Sequence, residues 1–348
     1  MTEEKTTDVL IVGAGPIGIE LAVALKRAGI GYAHLDADQI GSTISWYAPQ
    51  THFFSSPERI AIAGVPLQTL DQSKATREEY LTYLRSVVLQ FGLEIHTFER
   101  VTSIERDAEG WFSVRTRRAD GDRTWRAWKV VLAIGDMHRP RIVGVPGENL
   151  PHVSHYFEDP HLYFRRRVLI VGGKNSAVEA AIRCARVSAD VTLSYHGAEL
   201  DPERVKAWLL PEIRSMIRDG KIRFLPRTTL CEIRGDAAVL RSEEDPEDRL
   251  EVEADAVLLL TGYVQDSSLF ENAGLVLEGA AKRPRLAPET MESSVPGIFV
   301  AGTAAAGTQV GGVKEFIETS HIHVERIVAA LTGSAPPGDE KAYDQPES

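Results

Sequence analysis

The chain has 348 residues, 43% of them hydrophobic and 26% charged, and a formal net charge of −11. This composition suits a globular protein with two cores, and an acidic balance without a basic stripe excludes a nucleic-acid backbone as partner. No apolar run reaches the ~20 residues of a bilayer span, no apolar leader precedes the first strand, and the two cysteines, Cys184 and Cys231, form no framework, so a cytoplasmic location is expected.

The first element is an apolar strand running into a glycine turn, Val9-Leu-Ile-Val-Gly13-Ala-Gly15-Pro-Ile-Gly18, and a helix from Ile17 to Ala28. Gly13 permits the tight turn, Gly15 lets backbone approach a pyrophosphate, and Gly18 allows close helix–strand packing, with Pro16 between them. Asp36, after the apolar run Tyr32-Ala-His-Leu35, stands where a second strand would offer a carboxylate to ribose hydroxyls. A long irregular stretch from Gly41 to Pro57 follows, and such stretches tend to be functional. It carries Trp46, Thr51 and Phe54 as candidates for the ring of a bound cofactor. A helix is expected over Arg77 to Phe91, then strands over Glu94 to Phe98, Val101 to Glu105, Trp111 to Thr116 and Trp125 to Ile134, the last ending at Gly135.

A second strand–turn–helix begins at Val168-Leu-Ile-Val-Gly172-Gly-Lys174-Asn-Ser-Ala177, with Lys174 in place of the middle glycine and Glu179 on the helix. Gly172, Gly173, Lys174, Asn175 and Ser176 are its phosphate candidates. The next strand, Asp190 to Tyr195, ends without a carboxylate; Ser194, His196, Arg204 and Lys206 offer donors to a 2′-phosphate, so NADPH is favoured over NADH. Strands end in glycine again at Gly262 and at Gly302-Thr303, and an amphipathic helix is expected over Val313 to Leu331. The tail Gly333 to Ser348, rich in Pro, Gly and acids, reads as disordered. This order gives an α/β fold of two Rossmann-like dinucleotide-binding domains. An FAD-binding domain is formed by residues 1–140 and 262–348, and an inserted NAD(P)H-binding domain by residues 141–261.

Cys184 and Cys231 are far apart in sequence, make no CxxC, and read as structural. His152 and His155 are the candidates for protonating a leaving thiolate. No spacing of His, Cys, Asp or Glu suggests a metal site.

The layout resembles the low-molecular-weight thioredoxin-reductase-like flavoproteins. Phe54-Ser-Ser-Pro-Glu-Arg, Lys74-Ala-Thr-Arg-Glu-Glu-Tyr80-Leu, Pro151-His-Val-Ser-His155-Tyr-Phe, the Gly172 to Glu179 turn, Trp208-Leu-Leu-Pro211, Glu289-Thr-Met-Glu292 and Phe316-Ile-Glu-Thr together resemble the YpdA family of bacillithiol disulfide reductases. The resemblance covers nearly all of residues 8 to 331, and that family carries the Lys174 substitution. It implies FAD in the first domain, NADPH in the second, and electron transfer to an oxidised low-molecular-weight thiol or another small redox partner, in a homodimer or larger homo-oligomer. Two departures stand out. Where members of that family have a cysteine after the proline of the first turn, this chain has Ile17; where thioredoxin reductases end the late strand in Gly-Asp, it has Gly302-Thr303. The missing thiol leaves open a ferredoxin or flavodoxin reductase, for which Arg139, Arg141 and Arg165 to Arg167 would form the docking patch. A flavin monooxygenase is the other alternative, although its Phe-x-Gly before the histidine motif is absent.

Overall fold

The computed structural model describes residues 4–245, 247–310, 315–335 and 337. The described residues divide into two compact units: those of 4–45, 52–139 and 264–337, and those of 46–51 and 140–263. The short segment Trp46–Thr51, which the sequence placed with the first domain, groups with the second unit.

In the first unit, β1 (Glu4–Val12) leads into α1 (Pro16–Arg27) and β2 (Tyr32–Leu35). Gly15 is the extended N-cap residue of α1 and Pro16 opens the helix, where a missing N–H costs nothing. A second helix, α2 (Arg77–Phe91), occupies the expected range because both ends are written locally. Thr76 and Glu79 form a capping box, and Gly92 closes the helix in the left-handed conformation at φ +54°. Residues 94–98 do not form the expected strand. The segment makes a single bridge, Leu35 with His96, before Phe98, exposed and at φ +56°, turns the chain away. Strands β3 (Arg100–Arg106), β4 (Phe112–Arg118) and β5 (Gly121–Leu132) then form an antiparallel meander.

In the second unit, β6 (Arg167–Val171), α3 (Asn175–Arg186), β7 (Asp190–Tyr195), α4 (Leu209–Arg218) and β8 (Ile222–Pro226) precede the meander β9 (Thr228–Ile233), β10 (Ala237–Ser242) and β11 (Arg249–Glu253); β12 (Ala256–Leu259) closes the set. Its parallel sheet has the order β8-β7-β6-β12, with the two-residue strand Val153–Ser154 at the edge. Helix α3 turns Ala177, Val178, Ala181 and Cys184 into the core formed with Val168, Ile170, Val191 and Leu193.

The chain returns to the first unit, where β13 (Ile298–Val300) adds in parallel to the C-terminal half of β5. The first sheet therefore reads β2-β1-β5-β4-β3 with β13 on β5. The last helix, α5 (Ile317–Thr332), starts after the expected Val313, which lies outside the described residues; Phe316 is still extended, and Thr319 Oγ1 accepts from its N–H at 2.9 Å. Both units thus join a parallel Rossmann-type sheet to an antiparallel meander, continuous with the sheet through β5 in the first unit and a separate three-stranded sheet in the second, the architecture of a thioredoxin-reductase-like fold. Most of the predicted tail lies outside the described residues.

Two buried histidines of the first unit are neutral. His34 on β2 and His323 on α5 are fully or almost fully buried, and burial pushes each imidazole from 6.5 down to about 4. The unfolded chain takes up protons there before the folded chain does. The associated stability is thus complete above about pH 6.5 and is lost as pH falls toward 4, on the order of 3 kcal/mol per histidine. His34→Gln, which retains a donor but does not titrate, is expected to flatten the fall of urea-unfolding free energy between pH 6.5 and 4; a slope equal to that of the parent protein would refute this.

Candidate functional site

The ends of parallel strands β1, β5 and β13 converge in the first unit. At Gly13, φ +108°, a Cβ would stand 2.3 Å from the Ala133 carbonyl oxygen at the end of β5; at Gly18 it would stand 1.9 Å from the Gly13 carbonyl oxygen. Neither position admits a side chain. Gly15 differs, because a Cβ there would meet nothing within 4 Å. The open side of Gly15 lies at the start of α1, where unpaired helix N–H groups and the helix dipole favour an anion.

Asp36 closes the other flank. It is buried, accepting from Ala14 N at 2.5 Å and Asp38 N at 2.8 Å, while burial raises its carboxyl above the ordinary range. Gly135 and Gly302 are both left-handed, at φ +75° and +73°, and a Cβ on Gly302 would stand 3.4 Å from Ile17 Cβ. Thr303 follows, its Oγ1 3.9 Å from where a Cβ on Gly135 would stand. Gly13, Gly15, Pro16, Gly18, Asp36, Gly135, Gly302 and Thr303 are therefore brought together in one unit. Phe54 remains in that unit, edge-on to Phe316 at 5.0 Å. Thr51 and Trp46 do not join them as expected: Arg183 of α3 donates to Thr51 Oγ1 at 3.3 Å and Pro49 O at 2.5 Å, and Trp46 packs on Tyr156 at 5.7 Å, all inside the second unit.

Several participating side chains were not singled out by sequence. His34 Nε2 donates to the Gly13 carbonyl at 2.8 Å, and His323 Nδ1 accepts from Gly302 N at 3.2 Å. Gln265 Nε2 donates to Gly135 O at 2.8 Å and Ala304 O at 3.3 Å, so it ties the ends of β5 and β13. A polar residue inside an otherwise apolar strand was the available signal for His34; Gln265 and His323 had none, because their partners are distant in sequence.

In the second unit Gly172, φ +145°, has no room for a Cβ, which would stand 2.5 Å from Leu260 O. Gly173 is packed by the Tyr195 ring, 2.3 Å from where its Cβ would be, and Gly197 flanks the same ring. Lys174 is exposed at the N-cap of α3. Burial and the neighbouring Arg204 and Arg141 charges push its ammonium below the ordinary range, with Asp201 opposing them. Three cations thus gather beside the helix start. Asn175 Oδ1 accepts from Lys206 N at 2.7 Å, and Ser176 is exposed on the first turn of α3. His196 is exposed against Tyr195, and Arg204 pairs with Asp201 at 3.1 Å. Gly262, at φ +102°, is exposed after β12.

Other candidates are committed elsewhere. Lys206 pairs with Glu179 at 3.4 Å and lies over Trp208, while Ser194 is fully buried against Thr228 Oγ1 at 2.8 Å. His155 Nε2 stands 3.4 Å from Glu148 Oε1, a buried carboxylate that already accepts from Val143 N and Gly144 N. His152 lies beside it at the edge strand, its carbonyl accepting from Val257 N. Both cysteines are free; Cys184 is buried on α3 and its thiol is pushed up to about 12. Among the described residues no cluster could hold a metal ion, and no helix is long and apolar enough to cross a membrane.

Two glycine turns, each at the head of a parallel sheet and each followed by a helix, mark a protein of the two-dinucleotide class. The family model for pyridine nucleotide-disulphide oxidoreductases matches residues 10–302. The chain is 34% identical over 331 residues to bacilliredoxin reductase Bdr of Bacillus subtilis, covering 95% of this chain and 98% of that protein. It is similar to the structure of bacillithiol disulfide reductase Bdr (YpdA) from Bacillus cereus, with TM-score 0.89 and 33% identity over 94% of this chain and 99% of that one. It is also 27% identical over 310 residues to a ferredoxin–NADP reductase of Thermus thermophilus, covering 85% of this chain and 84% of that protein. The chain belongs to the pyridine nucleotide-disulphide oxidoreductase family, as a Bdr (YpdA)-like flavoprotein oxidoreductase.

The two cofactor types of this family fit the residues present. The open side of Gly15 beside α1 and the carboxyl of Asp36 suit an FAD diphosphate and ribose, and the Lys174 cations suit an anionic nucleotide. Gly15→Ala is expected to leave the melting temperature of the apoprotein unchanged while weakening FAD retention about tenfold. Gly18→Ala should instead destabilise the apoprotein by roughly 3 kcal/mol or more. Fluorescence titration with FAD and thermal melts separate the two; equal behaviour of both variants would contradict the assignment.

Proposed function

We propose that this chain passes electrons from NADPH through FAD to the disulfide of an oxidised low-molecular-weight thiol, with no protein thiol in the path. The observation that carries the reading is the state of its sulfur: Ile17 occupies the first turn, and Cys184 is buried with a thiol pushed to about 12. When bound, the flavin accepts a hydride equivalent from the nicotinamide and delivers two electrons to the acceptor. The balance is NADPH, a disulfide and one proton giving NADP⁺ and two thiols. The protein's part is binding and orientation. Gly13 to Gly18 and Asp36 hold the FAD nucleotide, Gly135, Gly302 and Thr303 shape the strand ends beside it, and Gly172 to Ser176 hold the NADPH diphosphate. Substrate class is taken from the relatives, which are named as reductases of bacillithiol disulfide and of bacilliredoxin.

NADPH is preferred over NADH on the Lys174, Arg141 and Arg204 grouping together with exposed His196. A 2′-phosphate brings charge that this cluster favours and that a carboxylate would repel. Arg204→Glu and His196→Glu are each expected to raise the KM for NADPH about tenfold while leaving that for NADH within twofold. Unchanged NADPH constants in both variants would refute these residues as readers.

The ferredoxin reductase reading is supported by the missing thiol and by the Thermus relative, but its docking patch is weak. Arg167 is bound to Asp255 and Glu253, and Arg166 donates to the Asp255 carbonyl. Arg165 lies over exposed Phe164. An acidic protein partner would meet a largely neutralised run. Anaerobic stopped-flow decides between the two: rapid bleaching by NADPH followed by reoxidation with a low-molecular-weight disulfide is expected, and reoxidation by ferredoxin or flavodoxin alone would overturn the disulfide assignment.

A further inference from the structure

Residues 53–75 form a loop of the first unit whose neck is closed by the bridge of His52 with Thr76 and by Phe53 N, which donates to Ala75 O at 2.9 Å. Within the loop, the helical turn Pro57–Ile60 and the residues after it are fastened to α1 and α5. His321 on α5 faces the Arg59 carbonyl through Nε2 at 2.9 Å and Glu20 Oε2 through Nδ1 at 2.7 Å. Glu20 on α1 uses its other oxygen to accept from Ala63 N at 3.1 Å, and Arg27 donates to Ala63 O at 3.0 Å. Ala63 is buried and left-handed at φ +56°, a conformation that an alanine holds only where its surroundings impose it. One imidazole–carboxyl pair therefore ties both ends of residues 59–63 to two helices.

A backbone carbonyl and a carboxylate can only accept, so both partners of the imidazole ask it for a proton. A neutral imidazole has one N–H. It serves one acceptor and turns a lone pair toward the other, whereas one further proton on the His321–Glu20 pair completes both bonds at once. We infer that His321 and Glu20 form a proton-operated clasp: with the shared proton present, residues 59–63 are held to α1 and α5, and loss of that proton at alkaline pH releases them. The other ionisable groups around the pair are Arg27 on α1, Glu58 and Arg59 on the loop, Tyr83 on α2, and Glu318, His323, Glu325 and Arg326 on α5. His323 is already neutral above about pH 4, and burial raises the Tyr83 hydroxyl above 10, so neither changes charge between pH 6.5 and 9. Burial works against protonation of His321, but the Glu20 hydrogen bond and charge, the Arg59 carbonyl and Glu325 outweigh it and raise the imidazole above 6.5. The stabilisation is thus complete below about pH 6.5, the unfolded value, and is lost as pH rises through the folded one. The inference stands on these contacts and is independent of the proposed reaction.

Opening of the loop is measured by hydrogen exchange of the whole chain, read by mass spectrometry on peptides spanning residues 55–67 and corrected for the pH dependence of intrinsic exchange. In the parent protein the protection of these peptides is expected to fall about tenfold between pH 6.5 and 9, while peptides from β6 of the second unit keep theirs. Glu20→Gln is the deciding variant. Its Oε1 still accepts from Ala63 N, and its Nε2 donates to the Nδ1 of a neutral imidazole, so the clasp closes without the extra proton. Protection in Glu20→Gln should stay within about twofold over the same pH range. His321→Asn, too short to reach both partners, should leave the loop weakly protected at both pH values. A parent protein whose protection is flat from pH 6.5 to 9 overturns the inference. So does a Glu20→Gln protein whose loop is unprotected at pH 6.5 or loses protection with pH as the parent does.

Discussion

The carbonyl of Gly13 is the point on which the first unit depends. It is confined by the absent side chain of Gly18, where a Cβ would approach to 1.9 Å, and it accepts from His34 Nε2 at 2.8 Å. Strand, turn, helix and second strand are thereby locked at one atom, and the N–H groups at the start of α1 are left free on the opposite side, toward open Gly15. The histidine that makes this contact is neutral because it is buried, so its donor is fixed in one tautomer. An ionised imidazole there would have to bear the cost of desolvation.

The second unit solves the same problem with different material. Gly172 is pressed against the Leu260 carbonyl, as Gly13 is against Ala133, but the next glycine is filled by the Tyr195 ring rather than left open. Lys174 then replaces a glycine without harm because it sits at the N-cap in extended conformation, with its side chain exposed. What this turn lacks in bare backbone it supplies as positive charge, together with Arg141 and Arg204. The two turns thus differ in character: bare backbone in one unit, positive charge beside the helix start in the other.

The sulfur of the chain is as informative as its glycine turns. A buried thiol pushed to about 12 is not a nucleophile at neutral pH, and the first glycine turn carries Ile17 and no cysteine. Polar side chains do the organising work instead. His321 illustrates this in α5: its two ring nitrogens face Glu20 Oε2 at 2.7 Å and Arg59 O at 2.9 Å, and against the lowering effect of burial these acceptors raise its pKa, so α1 and α5 are joined through one imidazole, while burial lowers that of His323, two residues on, to about 4.

Much of the fold was legible in the chain because its signals are local. Apolar strands ending in glycine, the Thr76–Glu79 capping box and Gly92 are short-range patterns, and they located both Rossmann-type halves and the α2 boundaries. Residues 94–98 misled because an apolar–polar alternation carries no information about Phe98 leaving the sheet at positive φ. The glycines, Asp36 and Lys174 were readable as candidates for the same reason that the strands were: one turn of backbone specifies them. Tertiary structure alone decided that Thr51 packs with Arg183, that Ser194 and Lys206 are committed to Thr228 and Glu179, and that Gln265 meets Gly135. Those partners are separated by 27 to 132 residues, and only the packing of the sheets determines which side chains share a hydrogen bond across such distances in sequence.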